Sequence, residues 1–192
     1  MLRVITGTAK GTILQVPDTG LRPATELVRG AIYSILQNMT DDWSRALDLF
    51  SGSGAMGIEA LSRGAGWVDF VDHERRCCDI IKKNLEKTGF SEQARVFCCT
   101  VEKALKLLDK PYSFIVVDPP YRDTSVGTLL ETIAGSRLVA ENTILVSTHA
   151  TRLKLPEKLK DLSLKIPMNV TVAVAEKALE YNLYTQKFEY HA

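Results

Sequence analysis

The chain has 192 residues, 45% hydrophobic and 24% charged, enough apolar material for one domain with a buried core and too much for disorder. Lys and Arg number 24 against 23 Asp and Glu, a net charge of +1, so no strong global field announces a polyanionic partner. No apolar run approaches the ~18 residues of a membrane span, and Met1 to Gly7 carries no apolar stretch behind a basic one, so no membrane association and a cytoplasmic setting are expected.

The first 24 residues read as an N-terminal hairpin extension of a single domain spanning 1–192. Short β-rich pieces at about 3–6 and 12–16 flank Gly7 and Gly11. Thr25 is a plausible helix N-cap, and Leu27, Val28, Ala31, Ile32, Ile35 and Leu36 then recur at helical spacing to about Gln37. Strand-like apolar runs follow at about 45–49, 67–71, 94–98, 113–117 and 143–147. Helical patterns at about 55–63, 74–87, 101–108 and 125–134 alternate with them. Strands buried on both faces and joined by crossover helices make a mostly parallel sheet. The last β-rich runs, near 164–174 and 179–188, have no helix between them, which predicts a C-terminal antiparallel hairpin. Residues 1–30 and 150–170 lean basic, through Arg3, Lys10, Arg22 and Arg29 and through Arg152, Lys154, Lys158, Lys160 and Lys165. Such faces permit RNA contact without requiring it.

Cys77-Cys78 and Cys98-Cys99 are adjacent pairs without the spacer that lets two thiolates chelate one zinc, and His73, His149 and His191 are scattered. No metal site is expected. Unpaired cysteine usage suits a reducing compartment.

The chemistry concentrates at two strand ends. Ala46 to Phe50 runs into Ser51-Gly52-Ser53-Gly54-Ala55-Met56-Gly57 and then a helix, a first-strand nucleotide loop. Gly52 and Gly54 allow a tight turn, and the helix N-terminus offers free N–H groups to a polar ligand. A Cβ at these glycines is expected to fill the ligand's space. Gly52-x-Gly54-x-x-Gly57, with Asp72 about 20 residues on, also fits a dinucleotide fingerprint. Asp48 tips the balance, because a carboxylate facing the ligand suits the ammonium of a methionine moiety and repels a pyrophosphate. S-adenosyl-L-methionine is therefore favoured over NAD.

Phe114 to Val117 ends in Asp118-Pro119-Pro120-Tyr121. Two prolines end strand pairing and stiffen the turn. Ligands of an open α/β sheet sit beyond the carboxyl ends of its strands, so this loop and the glycine loop should share one crevice. An exocyclic base amine is a poor nucleophile because its lone pair is delocalised into the ring. Asp118 and the Pro119 carbonyl can accept the two amine hydrogens and localise that pair, Pro120 helps to hold them fixed, and Tyr121 offers a stacking face to an extruded base.

These residues resemble the class I methyltransferases, and the tetrapeptide resembles that of enzymes modifying N6 of adenine or N2 of guanine. Gly7-x-x-Lys10-Gly11, Leu21-Arg22-Pro23-Ala24-Thr25-Glu26-x-Val28-Arg29 and Asp48 through Ala65 together resemble the RsmD family of bacterial 16S rRNA guanine-N2 methyltransferases over nearly the whole chain. The resemblance implies a Rossmann-like α/β fold, a twisted, mostly parallel sheet with helices on both faces. It implies Asp48, Phe50, Gly52, Gly54, Asp72, His73, Thr100 and Val101 as the residues around S-adenosyl-L-methionine, and Asp118 to Tyr121 as the guanine-receiving group. Arg22, Thr25 and Arg29 would shape the crevice on its cofactor or RNA side. The implied partner is 16S rRNA within the small ribosomal subunit, with a monomer as the default. Two places depart from the family. Thr100 stands where Asp or Asn usually meets the adenine amine, with a hydroxyl able to accept one hydrogen bond. Ser147-Thr148-His149 stands where a Glu is usual. Rival readings are an N6-adenine methyltransferase, a non-catalytic RNA-binding or ribosome-assembly protein, and a nicotinamide oxidoreductase, which would leave Asp118 to Tyr121 without a role.

Overall fold

The computed structural model describes residues 1–18, 24–120 and 125–148 with their side chains and five strands between 158 and 190 by their backbone. Helix α1 (Glu26–Met39) starts at Thr25, whose side chain accepts from the Val28 N–H, and its inward stripe is Arg29, Ile32, Tyr33, Ile35 and Leu36. Strands and helices then alternate as β1 (Arg45–Leu49), α2 (Ala55–Ser62), β2 (Trp67–Asp72), α3 (Arg75–Thr88), β3 (Ala94–Cys98), α4 (Val101–Leu107), β4 (Phe114–Val117), α5 (Val126–Ala134) and β5 (Ile144–Thr148). The four helices and five strands expected from periodicity over 45–148 are all present, with ends within one residue.

The five strands are parallel in the order β3-β2-β1-β4-β5. Alternate residues feed two cores. Ala46, Phe70, Val116 and Val146 pack with α1, α2 and α3 on one face, and Leu47, Leu49, Val71, Ile115 and Leu145 pack with α4 and α5 on the other. Covering both faces explains why these strands read as continuous apolar runs. The chain leaves β1 toward β2 on one side and returns to β4 on the other, so a crevice opens at the carboxyl ends of β1 and β4.

The two expected hairpins differ in extent from the pairing the structure holds. In the first segment residues 2–4 and 11–14 face each other antiparallel, through the Arg3–Ile13 bridge and bonds from Val4 N–H to the Thr12 carbonyl (3.0 Å), Gly11 N–H to the Val4 carbonyl (2.9 Å) and Leu14 N–H to the Leu2 carbonyl (2.9 Å). The segment is also fixed to the helices by side chains, as an arm. Buried Glu59 accepts from the N–H groups of Ile5 (2.7 Å) and Thr6 (3.0 Å), Ser62 Oγ accepts from Ala9 N–H, and buried Asn84 pairs with both the N–H and the carbonyl of Gln15. Gly7 sits at φ +87°, where a Cβ would lie 1.7 Å from the Ser62 carbonyl oxygen. Only glycine permits so close an approach. The run 164–174 is not one strand either. Strands β6 (Lys158–Leu159), β7 (Leu162–Lys165) and β8 (Val170–Ala175) extend the main sheet, β8 pairing antiparallel with β5 and β7. Strands β9 (Leu179–Asn182) and β10 (Lys187–Tyr190) form a separate antiparallel pair. Pro167 interrupts the earlier run in sequence, and a residue without an N–H does not continue a ladder. Among the described residues, no helix is long and apolar enough to cross a membrane.

Candidate active site at the carboxyl ends of β1, β2 and β4

Three strand ends converge on one cavity of about 640 Å³, within the usual range for a small-molecule site. Asp48, Phe50, Gly52, Asp72, His73, Asp118, Pro119 and Pro120 all line it, together with Arg29 and Ala24 from the start of α1. Thus most of the candidate site residues, drawn from segments up to 90 positions apart, do meet.

The glycine loop is held by its own polar groups. Phe50 adopts a left-handed backbone (φ 60°) although it is not glycine, a strained conformation that neighbours must enforce. Ser51 enforces it: its N–H donates to the Val71 carbonyl (3.0 Å), and its Oγ donates to the Asp48 carbonyl (2.7 Å) and accepts from Val71 N–H (3.0 Å). Gly52 (φ +54°) gives its N–H to Asp72 Oδ2 at 2.8 Å. A Cβ at Gly54 would meet Ile81 at 3.2 Å and Phe70 at 3.4 Å. The reason for glycine there is therefore core packing plus a left-handed φ of +76°, not clearance for a ligand as the sequence suggested. At Gly52, by contrast, the nearest atom to a Cβ is 4.0 Å away.

Asp48 is the electrostatic centre. It is buried, with Oδ2 accepting from the Gly57 N–H in the first turn of α2 (2.9 Å) and Oδ1 without a partner. Burial pushes its carboxyl up to about 8; the Gly57 bond opposes this, and the charges of Asp118 and Asp72 add to it. Arg29, equally buried, donates from Nη1 to the Ala24 carbonyl and from Nη2 to the Arg3 carbonyl, while its Nε has no partner. Burial lowers its pKa, against the pull of Glu59 and Glu26. One cavity thus carries an unsatisfied buried acceptor and an unsatisfied buried donor, a pattern that asks for a ligand bearing an ammonium and a carboxylate. Asp72, at the end of β2, holds the Gly52 and Glu74 N–H groups on its two oxygens and retains a lone pair on each for a ribose hydroxyl. His73 is exposed at the rim, its ring 3.9 Å from Asp72 and 3.4 Å from Glu74.

Asp118 follows β4 and stays beside β1, its N–H reaching the Leu49 carbonyl at 3.3 Å. It is half-buried. Its Oδ1 accepts a short hydrogen bond from Thr148 Oγ1. Burial raises its pKa and the Thr148 bond opposes the rise. Pro119 is buried and Pro120 exposed, so the loop turns outward immediately. Tyr121 and Arg22 lie outside the described residues.

Besides Gly54, three described candidates sit away from the cavity lining. Thr100 caps α4, its side chain accepting from Lys103 N–H (3.4 Å), which leaves the hydroxyl one further lone pair. Val101 is buried in the core against α4 and α5. Thr25 is exposed and occupied as the α1 cap. Conversely, sequence reasoning missed Val16, Pro17 and Asp18, which wall the cavity, and Glu59, Ser62 and Asn84, which anchor the arm carrying them. A signal existed. Every residue of α2 is buried, and a helix buried all round needs cover on its outer side. Among the described residues, no group of three or more His, Cys, Asp or Glu is arranged to hold a metal, and all four cysteines are free thiols.

Residues 2–168 match the family described as "Conserved hypothetical protein 95". Among curated relatives, the chain is 36% identical over 165 residues to "Putative rRNA methyltransferase YlbH" of Bacillus subtilis, covering 84% of this chain and 89% of the relative. It is 38% identical over 133 residues to "Ribosomal RNA small subunit methyltransferase D" of Escherichia coli K12, covering 69% of this chain and 65% of the relative. Among solved structures, a hypothetical protein of Thermus thermophilus superposes with a TM-score of 0.78 at 27% identity, covering 92% of this chain and all of that one.

Proposed function

The chain belongs to the RsmD/YlbH family, and on that premise we propose that it transfers a methyl group from S-adenosyl-L-methionine to the exocyclic N2 of a guanine in 16S rRNA of the small ribosomal subunit. The observation that carries the reading is the shared cavity, which sets Asp118 and its prolines beside the Asp48–Arg29 pair. S-adenosyl-L-methionine ends in an amino acid, and these residues fit it. Asp48 Oδ1 would take the ammonium, Arg29 Nε the carboxylate, Asp72 the ribose hydroxyls, with Phe50 and His73 along the nucleoside. When bound, the cofactor supplies a methyl group activated on a sulfonium.

The chain's own residues do the rest. Asp118 and the Pro119 carbonyl accept the amine hydrogens, localising the nitrogen lone pair toward the cavity, and Tyr121 stacks on the extruded base. Because β4 and the two prolines hold these acceptors in place, they need not reorganise during transfer. After transfer the amine carries a surplus proton, and Asp118 is the base that receives it. The near-neutral charge suits recognition of a folded subunit surface more than of extended RNA. Arg22, Thr25 and the basic 150–170 segment are placed on the RNA side of this reading.

The test is incubation with S-adenosyl-L-methionine and small subunits from a strain lacking the corresponding methylase, followed by nucleoside mass spectrometry. N2-methylguanosine is expected. N6-methyladenosine would replace the base assignment, and cofactor binding without product would favour the assembly-protein reading. In parallel, Asp118→Ala should bind cofactor nearly normally and lose transfer by about 100-fold or more.

A further inference from the structure

Thr148 is the last residue of β5, opposite Asp118 across the parallel β4–β5 register that pairs Val117 with Ser147. It is 1% exposed. Its hydroxyl has one hydrogen, and that hydrogen goes to Asp118 Oδ1. Nothing in the fold requires this bond: the end of a buried strand is satisfied by its backbone ladder, and an apolar β-branched residue would pack equally well there. We propose that Thr148 is a positioning residue for the transfer reaction, fixing the rotation of the Asp118 carboxylate so that Oδ2 meets the exocyclic amine of the base. The inference rests on Asp118 being the amine acceptor.

The physical argument has two parts. A carboxylate beyond the end of a strand turns freely about its last bond unless one oxygen is tied, and a catalytic acceptor that rotates loses the advantage of being prepositioned. The hydroxyl also favours the ionised form of a group that burial pushes toward protonation. The titratable groups that share the cavity with Asp118 are Asp48 of β1, protonated below about pH 8, Asp72 of β2 and Arg29 of α1, with Asp18, His73, Glu74 and Arg76 also on the lining. Burial is what opposes ionisation of Asp118, and the neutral donor on β5 is what offsets it.

The experiment compares wild type with Thr148→Val, Thr148→Ser and Asp118→Asn, measuring kcat and cofactor KM across pH on small subunits. Thr148→Val should lose about 10- to 100-fold in kcat, the scale of a hydrogen bond to a charged group, with cofactor KM within about twofold, which also reports a folded site. Its acid limb should move to higher pH, because removing a donor raises a carboxyl's pKa. Thr148→Ser, which keeps the hydroxyl, should recover most of the rate. If Thr148→Val matches wild type in kcat and acid limb while Asp118→Asn is inactive, the positioning role is overturned and the reading of Asp118 stands. Wild-type transfer by Asp118→Asn would overturn both. Should Thr148→Val not fold, carboxyl carbon NMR of Asp118 in Thr148→Ala and wild type decides: titration at higher pH in Thr148→Ala supports the role, and unchanged titration removes it.

Discussion

Two buried aspartates sit on neighbouring strands and are treated in opposite ways. Asp69, on β2, accepts from Arg45 Nη2 (2.7 Å) and the Tyr112 hydroxyl (2.6 Å) on one oxygen and from Trp67 Nε1 (2.9 Å) on the other. The Arg45 guanidinium lies 5.8 Å from the Trp67 ring centroid and 5.3 Å from that of Tyr112. Asp48, on β1, has one donor, Gly57 N–H, and one empty oxygen. Both oxygens of Asp69 are thus engaged, although Arg45 Nε is left without a partner, whereas Asp48 keeps one oxygen open toward the cavity. A complete network stabilises the fold, whereas an incomplete one is costly unless a ligand completes it.

Substitution should separate the two. Asp69→Ala strips three donors of their acceptor and should lower stability by about 3 kcal/mol or more, read by urea unfolding, with cofactor affinity of the folded fraction intact. A loss below about 1 kcal/mol would mean the network is ornamental. Asp48→Asn should act inversely, weakening S-adenosyl-L-methionine binding by about 10- to 100-fold in calorimetry while leaving the cofactor-free protein no less stable.

The same contrast has a pH signature. Asp48 keeps its proton to about pH 8 when folded and loses it near 4 when unfolded. The folded state therefore binds more protons between those values, and this group subtracts stability as pH rises through that window. Cofactor binding at pH 6.5 should expel about one proton, because the ion pair needs the carboxylate. Calorimetry in two buffers of different ionisation enthalpy measures it, and Asp48→Asn should expel none. The smallest effect is expected at Thr100. Thr100→Ala removes a helix cap and should cost about 1 kcal/mol of stability without changing cofactor affinity; a clear loss of affinity would return Thr100 to the site.

What the sequence made legible follows from range. Strands β1 to β5 and helices α2 to α5 announce themselves through residues a few positions apart, such as Leu47 and Leu49 facing one core while Ala46 faces the other. The cavity was legible because Asp48, Asp72 and Asp118 each end an apolar strand, and parallel strands put their ends together. The arm was not. Its attachment is a set of single bonds from Glu59, Ser62 and Asn84 to backbone groups 53 to 69 residues away, and no local period encodes such pairings. Asn84 did fall on the apolar face of α3, three positions after Ile81, where a polar residue must find a buried partner. Thr100 shows a related limit: a hydroxyl before a helix serves as a cap as readily as a ligand contact, and spacing does not separate the two.

The arm also sets an order of events during synthesis. Gln15 and its partner Asn84 are 69 residues apart, so at bacterial or eukaryotic elongation rates the partner is added roughly 3 to 14 s later. Ile5, Thr6 and Ala9 can already dock on Glu59 and Ser62 of α2 by then, but the Gln15 end of the arm has no partner until Asn84 arrives. The wall of the cavity is thus made first and seated last, and a nascent chain gains the ability to hold a cofactor only after its third helix has been translated.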